Sequence, residues 1–154
     1  MKIASKSDLP WLEELRRVVE REEHPDDADA AERTVQGSRP SLAVFDCLES
    51  GSFRIFVAEA DHRFEGYASV ARIPKADARV GFLDLDQLHV LVDHRRQGHA
   101  TRLLEVIAEH AGGSGPAGIR LLVDPANASA RFCLYEKLGL ARRGMSLCEQ
   151  TRPG

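Results

Sequence analysis

The stretch Asp93-His94-Arg95-Arg96-Gln97-Gly98-His99-Ala100-Thr101 carries two adjacent guanidinium groups, followed by two small residues at alternate positions. An apolar run precedes it, and a helix-forming run follows. A strand that turns through small residues into a helix leaves several backbone N–H groups free at the positive end of that helix. Such a turn can hold a phosphate. A side chain at Gly98 would keep a pyrophosphate from the backbone, and Arg95 and Arg96 add the charge that a phosphate attracts. The plainer alternative is a solvated connection between a strand and a helix.

Just upstream, Asp84 and Asp86 lie two apart in a β-type run and so project from one face. Carboxylates among Phe82, Leu83, Leu85 and Leu88 are costly to bury without partners, which marks them for proton transfer or for ion pairs with Arg72 or Arg79. His89 follows on the same strand, as a candidate site residue or as a packing residue.

The elements that must position these groups are read from periodicity. Leu9, Leu12, Leu15, Val18 and Val19 recur at helical spacing, which predicts a first helix to about Glu22. Residues 24–32 hold four acidic residues and read as an exposed acidic connection. A second short helix carries Leu42, Val44, Phe45 and Leu48 and ends near Gly51. The period then changes to two. Residues 53–60 and 66–73 form a hairpin around a loop at 61–65, and a third strand runs from about Val80 to Val92. A helix bearing Leu103, Leu104, Val106, Ile107 and His110 on one side follows, then a short strand at 119–123. A helix from about Ala128 to Leu138 stops at Gly139, and a last strand begins near Leu140. This order implies an α+β fold, with a mixed, mostly antiparallel sheet covered by helices on both faces.

The 154 residues, 43% hydrophobic and 29% charged, suit a single domain spanning 1–154. No run is long and apolar enough for a membrane span, so a cytoplasmic protein is expected. The net charge of -3 disfavours a nucleic-acid partner. Cys47, Cys133 and Cys148 form no Cys-x-x-Cys pair, so they are expected to be reduced, and no metal is called for.

The turn Arg95-Arg96-Gln97-Gly98-His99-Ala100 resembles the Gln/Arg-x-x-Gly-x-Gly/Ala signature of the GNAT acyltransferases. The segments Asp124-Pro125-Ala126-Asn127-Ala128-Ser129-Ala130 and Tyr135-Glu136-Lys137-Leu138-Gly139-Leu140 resemble that family's Asn-x-x-Ala and Tyr-x-x-x-Gly-Phe landmarks. The likeness covers residues 2–140 and is strongest over 83–140. The run from His94 to Thr101 is also similar to part of some aminoglycoside N-acetyltransferases.

The resemblance implies an enzyme that moves the acetyl group of acetyl-CoA to an amine of a small molecule or peptide, by direct attack in a ternary complex. The alternative it leaves is an acyl-CoA-binding sensor without turnover. It implies a bulge in the central strand at Leu88, His89 and Val90, whose backbone meets the pantetheine arm. Arg95, Arg96, Gln97, Gly98, His99, Ala100 and Thr101 would cradle the pyrophosphate. Asn127 would bond the pantetheine arm, Tyr135 would protonate the departing thiolate, and Asp84 or Asp86 would be the general base. Tyr135 stands eight residues after Asn127 (135 - 127 = 8), one more than is usual in the family, but in place when counted back from Gly139. The acidic segment at 26–32 sits where the family places a loop over the acceptor, which suggests a cationic amine. After Gly139 only fifteen residues remain (154 - 139 = 15), enough for one final strand where the family has two. The edge so left open would be shielded by a homodimer.

Overall fold

A computed structural model describes residues 2–3, 9–27, 29, 33, 42–61, 63–73, 81–114, 118–121, 136 and 139. Its contacts divide the chain into two compact units, residues 1–122 and 123–154. In the second, Glu136 is helical, and the Gly139 N–H donates to its carbonyl at 3.0 Å with φ at +78°. That left-handed glycine ends the helix where the sequence places its stop. The rest of the helix expected over 128–138, the strand expected near Leu140, and Asn127 and Tyr135 lie outside the described residues.

The first unit runs β1 (Lys2–Ile3), α1 (Leu9–Glu23), α2 (Leu42–Ser50), β2 (Phe53–Ala60), β3 (Arg63–Arg72), β4 (Leu83–Val90), α3 (His99–Ser114) and β5 (Ile119–Leu121). The five strands lie side by side in chain order. Every pairing is antiparallel except β4 with β5, which is parallel and therefore needs the crossover that α3 supplies.

Alternation along the strands makes two cores. Val57 and Tyr67 turn to one face, where they pack with Leu15 and Val19 of α1, flanked by Ile55 and Phe64. Their neighbours Phe56 and Ala68 are buried too, and Phe56 meets His110 of α3 edge-on at 5.5 Å. Leu103, Leu104, Ile107 and Ala111 of α3 are all buried. Helices thus cover both faces of an α+β sheet, as the order of elements implies. Among the described residues, no helix is long and apolar enough to cross a membrane.

Three boundaries differ from the reading of the sequence, the first being the start of β4, which is Leu83 rather than about Val80. The hairpin loop is not 61–65, because β3 already starts at Arg63 and leaves a two-residue turn with Asp61 at φ +49°. Phe64 adds its ring to the α1-side core, which outweighs the charges of Arg63 and Glu65. The pairs Glu59↔Phe64 and Ala58↔Gly66 make Glu65 an extra, bulged residue. At the other end, β4 stops at Val90, and Val92–His94 wind into a 3-10 turn.

Candidate active site

β4 carries the chain to the site. Ser69 pairs with Gln87 and Val70 with Leu85, so the bulge of this strand lies at Asp86. It does not fall at Leu88, His89 and Val90, which stay in register with Ala68, Tyr67 and Gly66. The physical reason is local. Because of the bulge, Asp86 and Gln87 both face β3, where Ser69 Oγ donates to Asp86 Oδ2 at 3.3 Å and Tyr67 Oη donates to Gln87 Oε1 at 2.8 Å. At the Val90 end the strands approach so closely that a Cβ on Gly66 would stand 2.7 Å from the His89 carbonyl oxygen.

Beyond Val90 the loop is held by its own side chains. The Arg95 Nε–H donates to the Val90 carbonyl at 2.9 Å, and Gln97 Nε2 donates to the Asp93 carbonyl at 3.0 Å. Arg96 sits at φ +61° and Gly98 at φ +87°, both exposed, and a Cβ at Gly98 would meet nothing within 4 Å. The first intrahelical bond of α3 runs from the Arg102 N–H to the Gly98 carbonyl at 2.9 Å. The N–H groups of His99, Ala100 and Thr101 therefore have no intrahelical acceptor. A left-handed pair of residues ahead of a helix N-terminus is an anion-binding concavity, open on the Gly98 side.

The sequence reading missed the residue that anchors this loop. Glu22 on α1 accepts the Val92 N–H on Oε1 at 3.0 Å, while its Oε2 lies 3.0 Å from His89 Nε2 and 3.8 Å from Arg95 Nη2. His89 in turn lies over the Tyr67 ring, with 6.2 Å between centroids. Its side chain serves packing and anchoring. Nothing in the local sequence around Glu22 signals a partner 70 residues away.

The two carboxylates have separate surroundings. Among the described residues Asp84 pairs with Arg120 and not with Arg72, while Arg79 lies outside them: Arg120 of β5, its partner in the parallel register, donates Nε–H to Oδ1 at 2.5 Å and Nη2–H to Oδ2 at 2.9 Å. This bidentate bond raises the pKa of Arg120 and occupies both Asp84 oxygens. Asp86 is exposed, with Ser69 as its donor. Tyr67, buried beside it, is pushed up to about 12, first by burial and then by the negative charges of Glu23 and Asp86. A cavity lined by Gly51, Arg54, Arg72 and His110 lies at the other end of β3 from the loop. There, burial and then the charge of Arg54 hold His110 below the usual histidine range.

The sequence model of the family described as "Acetyltransferase (GNAT) domain" matches residues 51–139, more than half of the chain, and spans β2 through the loop and α3. The chain belongs to the GNAT acetyltransferase family. Among solved structures it is similar to an aminoglycoside acetyltransferase from an uncultured soil metagenomic sample, at 24% identity and TM-score 0.79, over 98% of this chain and 97% of that one. A second aminoglycoside acetyltransferase from such a sample, in complex with sisomicin, aligns at 17% identity and TM-score 0.76 over 98% and 95% of the two chains. A protein described as a "predicted acetyltransferase", with acetyl-CoA, from Clostridium acetobutylicum aligns at 16% identity and TM-score 0.67 over 97% and 94%. No curated protein matches the chain. At these identities the likeness is one of fold. The GNAT match makes the protein an acetyltransferase.

Proposed function

We propose that this GNAT enzyme transfers the acetyl group of acetyl-CoA to a cationic amine of a small molecule or peptide, by direct attack in a ternary complex. The observation that carries the proposal is the concavity at the N-terminus of α3, with Arg96 and Gly98 both left-handed and open space beside Gly98. The residues fit a pyrophosphate. Backbone N–H groups from Gly98 to Thr101 would hold it, with the Arg96 charge above them, while Arg95 and Gln97 keep the loop in shape. The backbone of Leu88, His89 and Val90 would hold the pantetheine arm, together with Asn127.

When bound, acetyl-CoA supplies an activated acetyl thioester. Asp86 takes a proton from the acceptor's ammonium, directly or through water, which frees the nitrogen lone pair to form the C–N bond as the C–S bond breaks. Tyr135 gives a proton to the leaving sulfur. Asp84, held in its bond to Arg120, braces β4 against β5. The acceptor class is supported by the exposed carboxylates of Asp26 and Asp29, which attract cations, and by the aminoglycoside acetyltransferases among the structural neighbours. We take the enzyme to be a cytoplasmic, single-domain homodimer.

A panel of aminoglycosides, polyamines and lysine-containing peptides, each supplied with acetyl-CoA, tests this through release of free thiol. Release that depends on both a cationic amine and the enzyme is expected. A folded protein that releases no thiol above background with any acceptor in the panel refutes the proposal.

A further inference from the structure

Beside the loop, Glu65, His94 and His99 bring three potential ligand atoms within 4.8 Å of one another. They come from three places: the bulge of β3, the end of the 3-10 turn, and the first residue of α3. His94 Nδ1 lies 3.7 Å from Glu65 Oε1, and His99 Nδ1 lies 3.3 Å from Oε2. Both separations exceed the roughly 2.7–2.9 Å of a charged N–H···O hydrogen bond. The separation of His99 Nδ1 from Oε2 is that of two ligands in a coordination polyhedron, with His94 Nδ1 within a side-chain adjustment of the same ion. Ligands about 2.0–2.1 Å from a tetrahedral ion stand about 3.3–3.4 Å from each other.

The surroundings suit such an ion. The Glu65 side chain is 14% exposed, that of His99 22% and that of His94 33%, so the carboxylate is shielded and one imidazole is left on the solvent side. The rings stand edge to face, 6.2 Å apart at 76°, and both turn Nδ1 toward the carboxylate. The bulge is fixed by its own backbone, since the Glu65 carbonyl accepts the Leu91 N–H at 3.0 Å.

We infer that Glu65, His94 and His99 form a binding site for a divalent transition metal, with Zn2+ the ion this donor set fits. Two imidazole nitrogens and one carboxylate oxygen suit a borderline ion, whereas Mg2+ and Ca2+ take oxygen ligands. Three protein ligands leave a fourth position for water. The metal would join β3 to both ends of the loop, since His94 and His99 flank residues 95–98.

Calorimetric titration of the full-length, chelator-stripped protein with Zn2+, without acetyl-CoA, tests the site apart from the coenzyme reading. One equivalent should bind at micromolar concentration or below. His94→Ala, His99→Ala and Glu65→Gln should each weaken it by about tenfold or more, and the His94→Ala/His99→Ala double variant should abolish it. His24→Ala, at a pair with Glu20 on α1, should bind like wild type. Co2+ in place of Zn2+ should give a tetrahedral visible spectrum that the double variant lacks. The inference is overturned if wild-type protein takes up no Zn2+ at micromolar concentration, whatever the variants do. Wild-type affinity and stoichiometry in a double variant that circular dichroism shows to be folded overturn it equally.

Discussion

Gly98 is the position where a single substitution should separate coenzyme binding from folding. Its φ of +87° strains any residue with a Cβ, at a cost of about 1–2 kcal/mol, yet that Cβ would meet nothing within 4 Å. For a chain of this size each kcal/mol moves Tm by about 2–4 °C, so Gly98→Ala and Gly98→Glu should both melt about 2–8 °C lower than wild type. The shared strain makes alanine the control. Acetyl-CoA at one hundred times its Kd should stabilise the wild type by about 2.7 kcal/mol, or roughly 5–11 °C. Gly98→Ala should keep part of that gain. Gly98→Glu should lose it, because a bulky carboxylate then occupies the concavity and repels phosphate. Thermal melts with and without acetyl-CoA, with circular dichroism as the check on folding, read all three proteins. A folded Gly98→Glu variant stabilised as strongly as wild type refutes the assignment of the pyrophosphate to this loop.

The carboxylates should behave in opposite ways. Asp86→Asn should lower kcat by about 10²–10⁴ with unchanged acetyl-CoA affinity, whereas Asp84→Asn, which breaks a half-exposed and screened pair with Arg120, should mainly cost about 1 kcal/mol of stability; normal turnover by Asp86→Asn across the pH range would remove it as the base. Tyr135→Phe should also slow turnover and spare coenzyme affinity, and an unchanged kcat would put the general acid elsewhere. The raised pKa of Tyr67 means that the fold favours its protonated form. Its contribution is therefore complete below the unfolded value of about 10 and lost as pH rises through about 12, so between pH 9 and 11 urea midpoints of Tyr67→Phe should fall less than those of wild type; parallel decline would exclude the linkage. Sedimentation at working concentration should give a dimer, and a monomer would refute that reading.

How much of this was legible beforehand depended on whether the signal was local. The strand, turn and helix around residues 83–114 followed from apolar periodicity and from Gly98, because backbone preference acts within a few residues. The same kind of signal placed the end of the helix at Gly139. The start of β3 was misread because Arg63 and Glu65 look like loop residues, and only the packing of Phe64 against α1 shows why they pair. The partner of Asp84 was missed for a related reason. Arg120 becomes its neighbour through a parallel crossover, and no count along the chain sets that register. The bulge at Asp86 depends likewise on Ser69 and Tyr67 of the adjacent strand.

The bond from Glu22 to the Val92 N–H has a consequence for the order of events during synthesis. It joins residues 70 apart, so α1 leaves the ribosome long before the Val92 N–H that donates to Glu22 exists. At about 5–20 residues per second, the helix waits about 4–14 s for Val92 to be made, and then longer for it to emerge. Throughout that interval Glu22 lacks its donor, although Leu15 and Val19 gain their partners Val57 and Tyr67 as soon as β2 and β3 emerge. The anchored form of the loop cannot precede the docking of α1, so it is a late product of folding.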